Sequence, residues 1–196
     1  MDIWSMMAEG FDLPILDWIA ANLWNPALDW LMPKITVLGD AGIFWIACAV
    51  ILMLIPKTRK AGFSMGLALL MGLVLCNMTL KPLVGRIRPY DYQLEHFGKT
   101  IELLVGAQHD FSFPSGHTIA SFEAAFALLL HNKKLGIPAM ILAVLIAFSR
   151  MYVYVHYPTD VIASVILGIG LAILATWIVG KLWDLAVQKM AEKKQA

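Results

Sequence analysis

Two stretches, residues 61–80 and 161–180, each run for twenty residues without a charged side chain. The hydrocarbon core of a bilayer takes about 20 mostly apolar residues of helix to cross. Backbone polar groups find no water there, so such segments fold as spanning helices whose hydrogen bonds close within the segment. Residues 41–56 form a slightly shorter uncharged run between Asp40 and Lys57, and the Lys57 ammonium can reach the headgroups along its own stem. Residues 135–149 continue through 151–155 with only Arg150 interrupting, and residues 118–130 are broken only by Glu123. Hydrophobic residues make up 60% of the chain and charged residues 15%, against about 25% charged in an ordinary soluble domain, which argues against a soluble globular protein.

The first forty residues are less regular, because Asp17, Asp29 and Lys34 interrupt the apolar pattern and Pro14, Pro26 and Pro33 punctuate it. Residues 15–24 read as an interfacial amphipathic helix with Trp18 and Trp24 at headgroup level. Residues 26–38 then form a sixth, irregular span whose Asp29 and Lys34 face the bundle. The expected fold is all-α, a polytopic membrane bundle of six transmembrane helices behind that N-terminal helix, in one domain over residues 1–196. No Lys or Arg precedes the first apolar stretch, so a cleavable signal peptide is not expected. Cys48 and Cys76 lie inside apolar runs and read as small core residues.

Lys and Arg between spans set orientation. Lys57, Arg59, Lys60, Lys133, Lys134, Lys181, Lys189, Lys193 and Lys194 gather on one side, which is assigned to the cytoplasm. The connections carrying Lys81, Arg86, Arg88, Lys99 and Arg150 then face the exterior or periplasm. A formal net charge of +1 gives no general attraction to nucleic acid.

Ionisable groups are costly at membrane depth, so those near the exterior span ends are functional candidates. Lys81 and Arg88 are two helical turns apart, on one face as far as a helix continues, although Pro89 disfavours helix at Arg88. Alone, the pair reads as two snorkelling cations. Ser115 is a natural N-cap, Gly116 allows close approach of a ligand, and the first-turn amides of the helix that follows form an anion site beside His117. Pro158 suits the first turn of the last span, which puts Asp160 within reach of one nitrogen of His156 and leaves the other free to attack. Three cations, two imidazoles and a carboxylate arriving on one membrane face meet the needs of phosphoryl transfer.

In order and spacing, Lys81-x6-Arg88-Pro89, Pro114-Ser115-Gly116-His117 and Ser149-Arg150-x5-His156-x3-Asp160 resemble the three signature motifs of the type 2 phosphatidic acid phosphatase family. That family is related to vanadium haloperoxidases and bacterial acid phosphatases. The resemblance implies that His156 is the nucleophile of a phospho-histidine intermediate and that Asp160 orients it. It further implies that His117 protonates the leaving oxygen and then activates water, while Lys81, Arg88, Arg150, Ser115 and the Gly116 amide hold the phosphate. No metal and no other cofactor is expected, since the three cations supply the charge a metal supplies elsewhere.

The implied function is a cell-membrane, multi-pass lipid phosphatase acting at the exterior leaflet. Undecaprenyl diphosphate is the first expected substrate, followed by phosphatidylglycerophosphate and phosphatidic acid. A reading of another class is an anionic-lipid transporter or flippase that binds without cleaving; it requires the cations but not an oriented His156. A metal hydrolase built on His117, His156 and Asp160 is a third. Glu123 is expected to pair with Lys34, and His109 and Asp110 read as solvated loop residues.

Overall fold

The computed structural model describes residues 3–195, and the Lys194 side chain, one of the tail cations, lies outside what is described. Ten α-helices follow one another: α1 (Ile3–Met7), α2 (Leu13–Leu23), α3 (Pro26–Val37), α4 (Ile43–Leu54), α5 (Arg59–Gly72), α6 (Lys81–Val84), α7 (Pro89–Phe97), α8 (Gly116–His131), α9 (Lys133–Tyr152) and α10 (Pro158–Gln195). Wider π-helical turns join α1 to α2 (Ala8–Asp12) and α5 to α6 (Leu73–Leu80), and a single 3-10 turn (Asp40–Gly42) leads into α4. Among the described residues there is no strand, so the all-α expectation holds.

Three helical stretches are long and apolar enough to cross a membrane: Arg59–Phe97, Lys133–Tyr152 and Pro158–Lys193. A fourth span forms if α3 and α4, bent by 42° at their junction, count as one. The bend falls where Ala41 and Gly42 adopt left-handed backbone conformations. The expected division into separate spans at residues 26–38 and 41–56 therefore appears as one broken pair. At 16 residues, α8 is shorter than a full span.

The core forms around α8, which packs against α5, α9 and α10. Lipid gives no hydrophobic drive for helices to associate, so close packing of small residues matters more than in water. Ala124, Ala125 and Ala127 are fully buried on α8, and a Cβ on Gly168 of α10 would stand 3.1 Å from the Ile119 carbonyl oxygen. Asn132 alone separates α8 from α9 and caps α9 by accepting from the Lys134 and Leu135 amides, at 3.0 and 3.3 Å. Gly136 makes that hairpin possible, since a Cβ there would overlap the Leu129 backbone. Gly136→Val is expected to cost about 3 kcal/mol or more, the upper range for overpacking, because backbone must move. A lowered thermal midpoint of the detergent-solubilised protein is the check.

The N-terminal segment packs through Ala8, Leu13, Leu16 and Ile19, all buried, against α7 and the α9–α10 connection. Trp18 is exposed, but the indole N–H of Trp24 donates to the Tyr152 carbonyl at 3.0 Å and pins the segment to α9. Asp29 faces the bundle, accepting from the Tyr152 hydroxyl at 2.6 Å. Lys34 does not: it is exposed, with its ammonium 3.2 Å from the centroid of the Trp30 ring. A cation held over an aromatic face on its own helix has no need of a bundle partner. The expected Lys34–Glu123 pair is therefore absent, and Glu123 lies buried against Gly72.

Candidate active site

A cavity of about 530 Å³ opens between α4, α5 and α8. Lys81, Arg88, His117, Arg150 and His156 line its polar end with the Gly116 backbone, and Ile46, Val50, Leu69 and Leu73 line its apolar part. Five of the eight site residues singled out in the sequence thus meet through their side chains, although they come from five separate segments.

Lys81 and Arg88 do not share a helix face. The helix stops at Val84, Gly85 turns the chain in a left-handed conformation, and Arg88 is the extended N-cap residue of α7, with Pro89 at its first position. The two cations converge because both pair with Asp110, at 2.5 Å for Arg88 Nη2. Asp110 is thus no idle loop residue. Burial pushes its carboxyl up, but the hydrogen bond and charge of Lys81 and the charge of Arg88 outweigh that and hold it at about 2.

Arg150 Nη1 donates to Thr36 Oγ1 at 2.7 Å, while its buried Nε and Nη2 have no partner in the protein. Arg150 itself lines the cavity, and unpaired guanidinium donors are suited to a planar or tetrahedral oxyanion. Ser115 caps α8, and its Oγ accepts from the Thr118 hydroxyl at 3.0 Å. It does not line the cavity; its neighbour Gly116 does, with Asn77 packed where a Cβ would stand.

His156 sits on the short connection from α9 to α10. Tyr154 holds a left-handed backbone conformation there, with its hydroxyl tied to Asp17 and Gln93 at 3.0 and 2.9 Å. That turn directs the imidazole into the cavity. Arg88 Nη1 lies 3.3 Å from Nε2, and a guanidinium only donates, so Nε2 carries the lone pair and Nδ1 the proton. Nδ1 faces Asp160 Oδ2 at 3.6 Å, just beyond hydrogen-bond reach. Burial first, then the Arg88, Arg150, Lys81 and His117 charges, hold the imidazole well below the ordinary histidine value. It is therefore neutral near pH 7.

The sequence reading overlooked the partners of His117 and Asp160. His117 Nε2 meets Asp40 Oδ1 at 2.7 Å, and Gly39 leaves room for the ring. Asp160 is fully buried and receives Arg86 Nη1 and Ser112 Oγ, each at 2.5 Å, and the Tyr157 amide at 3.1 Å. An acid beginning a span marked Asp40, but it had been read only as a boundary. Arg86 lies inside the first motif's variable spacer, where nothing in the pattern distinguishes it.

Residues 57–184 match the profile of the PAP2 superfamily. An undecaprenyl-diphosphatase of Sulfolobus acidocaldarius is 34% identical over 135 residues, 68% of this chain and 63% of that protein. The Bacillus subtilis undecaprenyl-diphosphatase BcrC is 31% identical over 150 residues, 76% of this chain and 74% of its own length. Among solved structures, a transmembrane PAP2-type phosphatidylglycerolphosphate phosphatase from Bacillus subtilis superposes with a TM-score of 0.66 at 28% identity, over 91% of this chain and 92% of the other.

Proposed function

Because the chain belongs to the PAP2 superfamily of lipid phosphatases, we propose that it hydrolyses undecaprenyl diphosphate at the exterior leaflet through a phospho-histidine intermediate. One observation carries this reading. His156, whose Nε2 lone pair meets only the Arg88 guanidinium, and Arg150, whose Nε and Nη2 have no partner, both line the polar end of a cavity whose remainder is apolar. A phosphate would sit among the cations, and a hydrocarbon chain would follow the apolar wall.

The His156 Nε2 lone pair attacks the terminal phosphorus, and the bond from phosphorus to the bridging oxygen breaks. His117, held by Asp40, gives its proton to the departing lipid phosphate. Lys81, Arg88 and Arg150 stabilise the charge on the equatorial oxygens, helped by the first-turn amides of α8 beyond Ser115 and Gly116. The Nδ1 proton faces Asp160, which balances the positive charge the ring acquires. His117 then takes a proton from water, which attacks the phospho-histidine, freeing inorganic phosphate and the imidazole.

Successive crossings by α5, α8, α9 and α10 would place this site on the side away from the Lys-rich connections. The identity of the lipid rests on the two named relatives, while phosphatidylglycerophosphate and phosphatidic acid share the chemistry at phosphorus. Phosphate release by the purified chain, measured against undecaprenyl diphosphate, phosphatidylglycerophosphate, phosphatidic acid and a soluble phosphoester, is the test. Release from undecaprenyl diphosphate is expected to exceed the others and to persist in excess EDTA. Faster release from either glycerophospholipid would reassign the substrate, chelator-sensitive release would point to a metal hydrolase, and binding without release would favour a transporter.

A further inference from the structure

Behind His156 and Asp160 lie two further buried charges, Arg86 and Asp12, that the mechanism above leaves unused. Arg86 is 4% exposed and joins two fully buried carboxylates: Nη2 meets Asp12 Oδ2 at 2.7 Å and Nη1 meets Asp160 Oδ1 at 2.5 Å. Asp12 ends the π-turn that precedes α2, far from the motifs and outside the residues that match the family profile. It also accepts from the Thr159 amide at 2.9 Å and the Thr159 hydroxyl at 2.7 Å, within the first turn that carries Asp160. The guanidinium lies over the Tyr157 ring at 3.8 Å, so its plane is fixed.

We infer that Asp12, acting through Arg86, sets the charge and position of the Asp160 carboxylate, which makes the N-terminal segment part of the catalytic site. The inference rests on the phosphatase reading for its effect on rate. Asp12 and Asp160 together outweigh Arg86 by one negative charge, and that surplus faces Nδ1 of His156. Without the Asp12 charge, Arg86 and Asp160 neutralise one another. The imidazole would then become cationic during attack on phosphorus with no net counter-charge behind it. Docking of the N-terminal segment does not require this ion pair, because Ala8, Leu13 and Leu16 already bury their side chains against α7 and the His156 connection. A buried ion pair is in any case a poor tether, since desolvation consumes most of what the charges gain by meeting. Asp12 is thus a positioning residue.

The test uses the full chain in detergent, comparing wild type, Asp12→Asn, Asp12→Glu and His156→Ala for phosphate release from undecaprenyl diphosphate. The His156 imidazole is titrated by NMR in parallel, its resonance assigned by its loss in His156→Ala. Arg88, Arg150, Lys81 and His117 face that ring from the cavity and Asp160 from behind, so loss of one remote negative charge must lower its pKa further. Asp12→Asn is expected to lower kcat about 10–100-fold, the range for removing an outer-shell orienting group, with KM within about threefold. Asp12→Glu restores part of the rate. An unmoved imidazole titration in folded Asp12→Asn overturns the inference, whether kcat is unchanged or falls only in step with the amount of folded protein. Should the wild-type chain release no phosphate, the phosphatase reading fails on its own, and the titration still decides whether Asp12 reaches His156.

Discussion

His156→Ala is expected to lower phosphate release by about four orders of magnitude or more, the scale seen when the attacking group of a covalent mechanism is removed. No neighbouring group can take over. Of the other polar groups that line the cavity, Asp110 is held by Lys81 and Arg88, His117 Nε2 by Asp40, Glu123 packs against Gly72, and Asn77 and Gln108 are neutral amides. Binding should survive, because Lys81, Arg88 and Arg150 remain and deletion of a neutral ring takes no positive charge from the site. Equilibrium binding of the lipid to the variant, beside its turnover, separates the two effects. Retained turnover would exclude His156 as nucleophile. Lost turnover with lost binding would mean that the imidazole supports the site and does no chemistry. The pH dependence carries the same logic. The imidazole is held well below the ordinary histidine value, so protonation removes the Nε2 lone pair only in acid, and no loss of rate from that protonation should appear as pH falls through 6.5.

Arg150→Ala should lower kcat/KM by about 10²–10⁴-fold, since two charge-assisted hydrogen bonds are lost at about 1.5–3 kcal/mol each. Its Nε and Nη2 are buried without partners, an arrangement whose cost the folded chain bears continuously and which an oxyanion would relieve. Lys should substitute poorly, because an ammonium cannot present two fixed donors to one phosphate while also meeting Thr36 as Nη1 does. Steady-state rates for Arg150→Ala and Arg150→Lys, with inorganic phosphate as competitive inhibitor, are the measurement. Weaker phosphate inhibition should accompany the loss of kcat/KM. A variant with full kcat/KM would place the phosphate elsewhere in the cavity.

Much of the site was visible in the residues. Lys81, Arg88, Gly116, His117, Arg150 and His156, grouped by order and spacing, line one cavity. What escaped was every carboxylate that governs them apart from Asp160: Asp40 on His117, Asp110 between Lys81 and Arg88, and Asp12 behind Arg86. These acids stand in connections and at helix ends, where Asp is common for local reasons such as capping and turns, so an acid with a distant partner looks like any other. The Lys34–Glu123 pair failed for a related reason: opposite charges at membrane depth invite pairing, yet Lys34 turned outward over Trp30. Pro89, which disfavours helix at Arg88, itself begins α7, because proline starts a helix as readily as it ends one.

By itself the sequence determined the class of solvent and the local chemistry. Uncharged runs about a bilayer long permit only helices, and motif spacing places cations, imidazoles and a carboxylate at the ends of particular helices. Both depend on residues near one another in the chain. Which long-range pairs form was decided by tertiary structure alone. Asp12 reaches Arg86, Asp40 reaches His117, and Arg150 keeps two of its three guanidinium nitrogens unpaired because Thr36 meets only Nη1. Those outcomes depend on how closely α8 lets its neighbours approach and on where the chain turns at Gly85 and Tyr154. Charge pairing across such distances follows from packing geometry, which spacing along the chain does not encode.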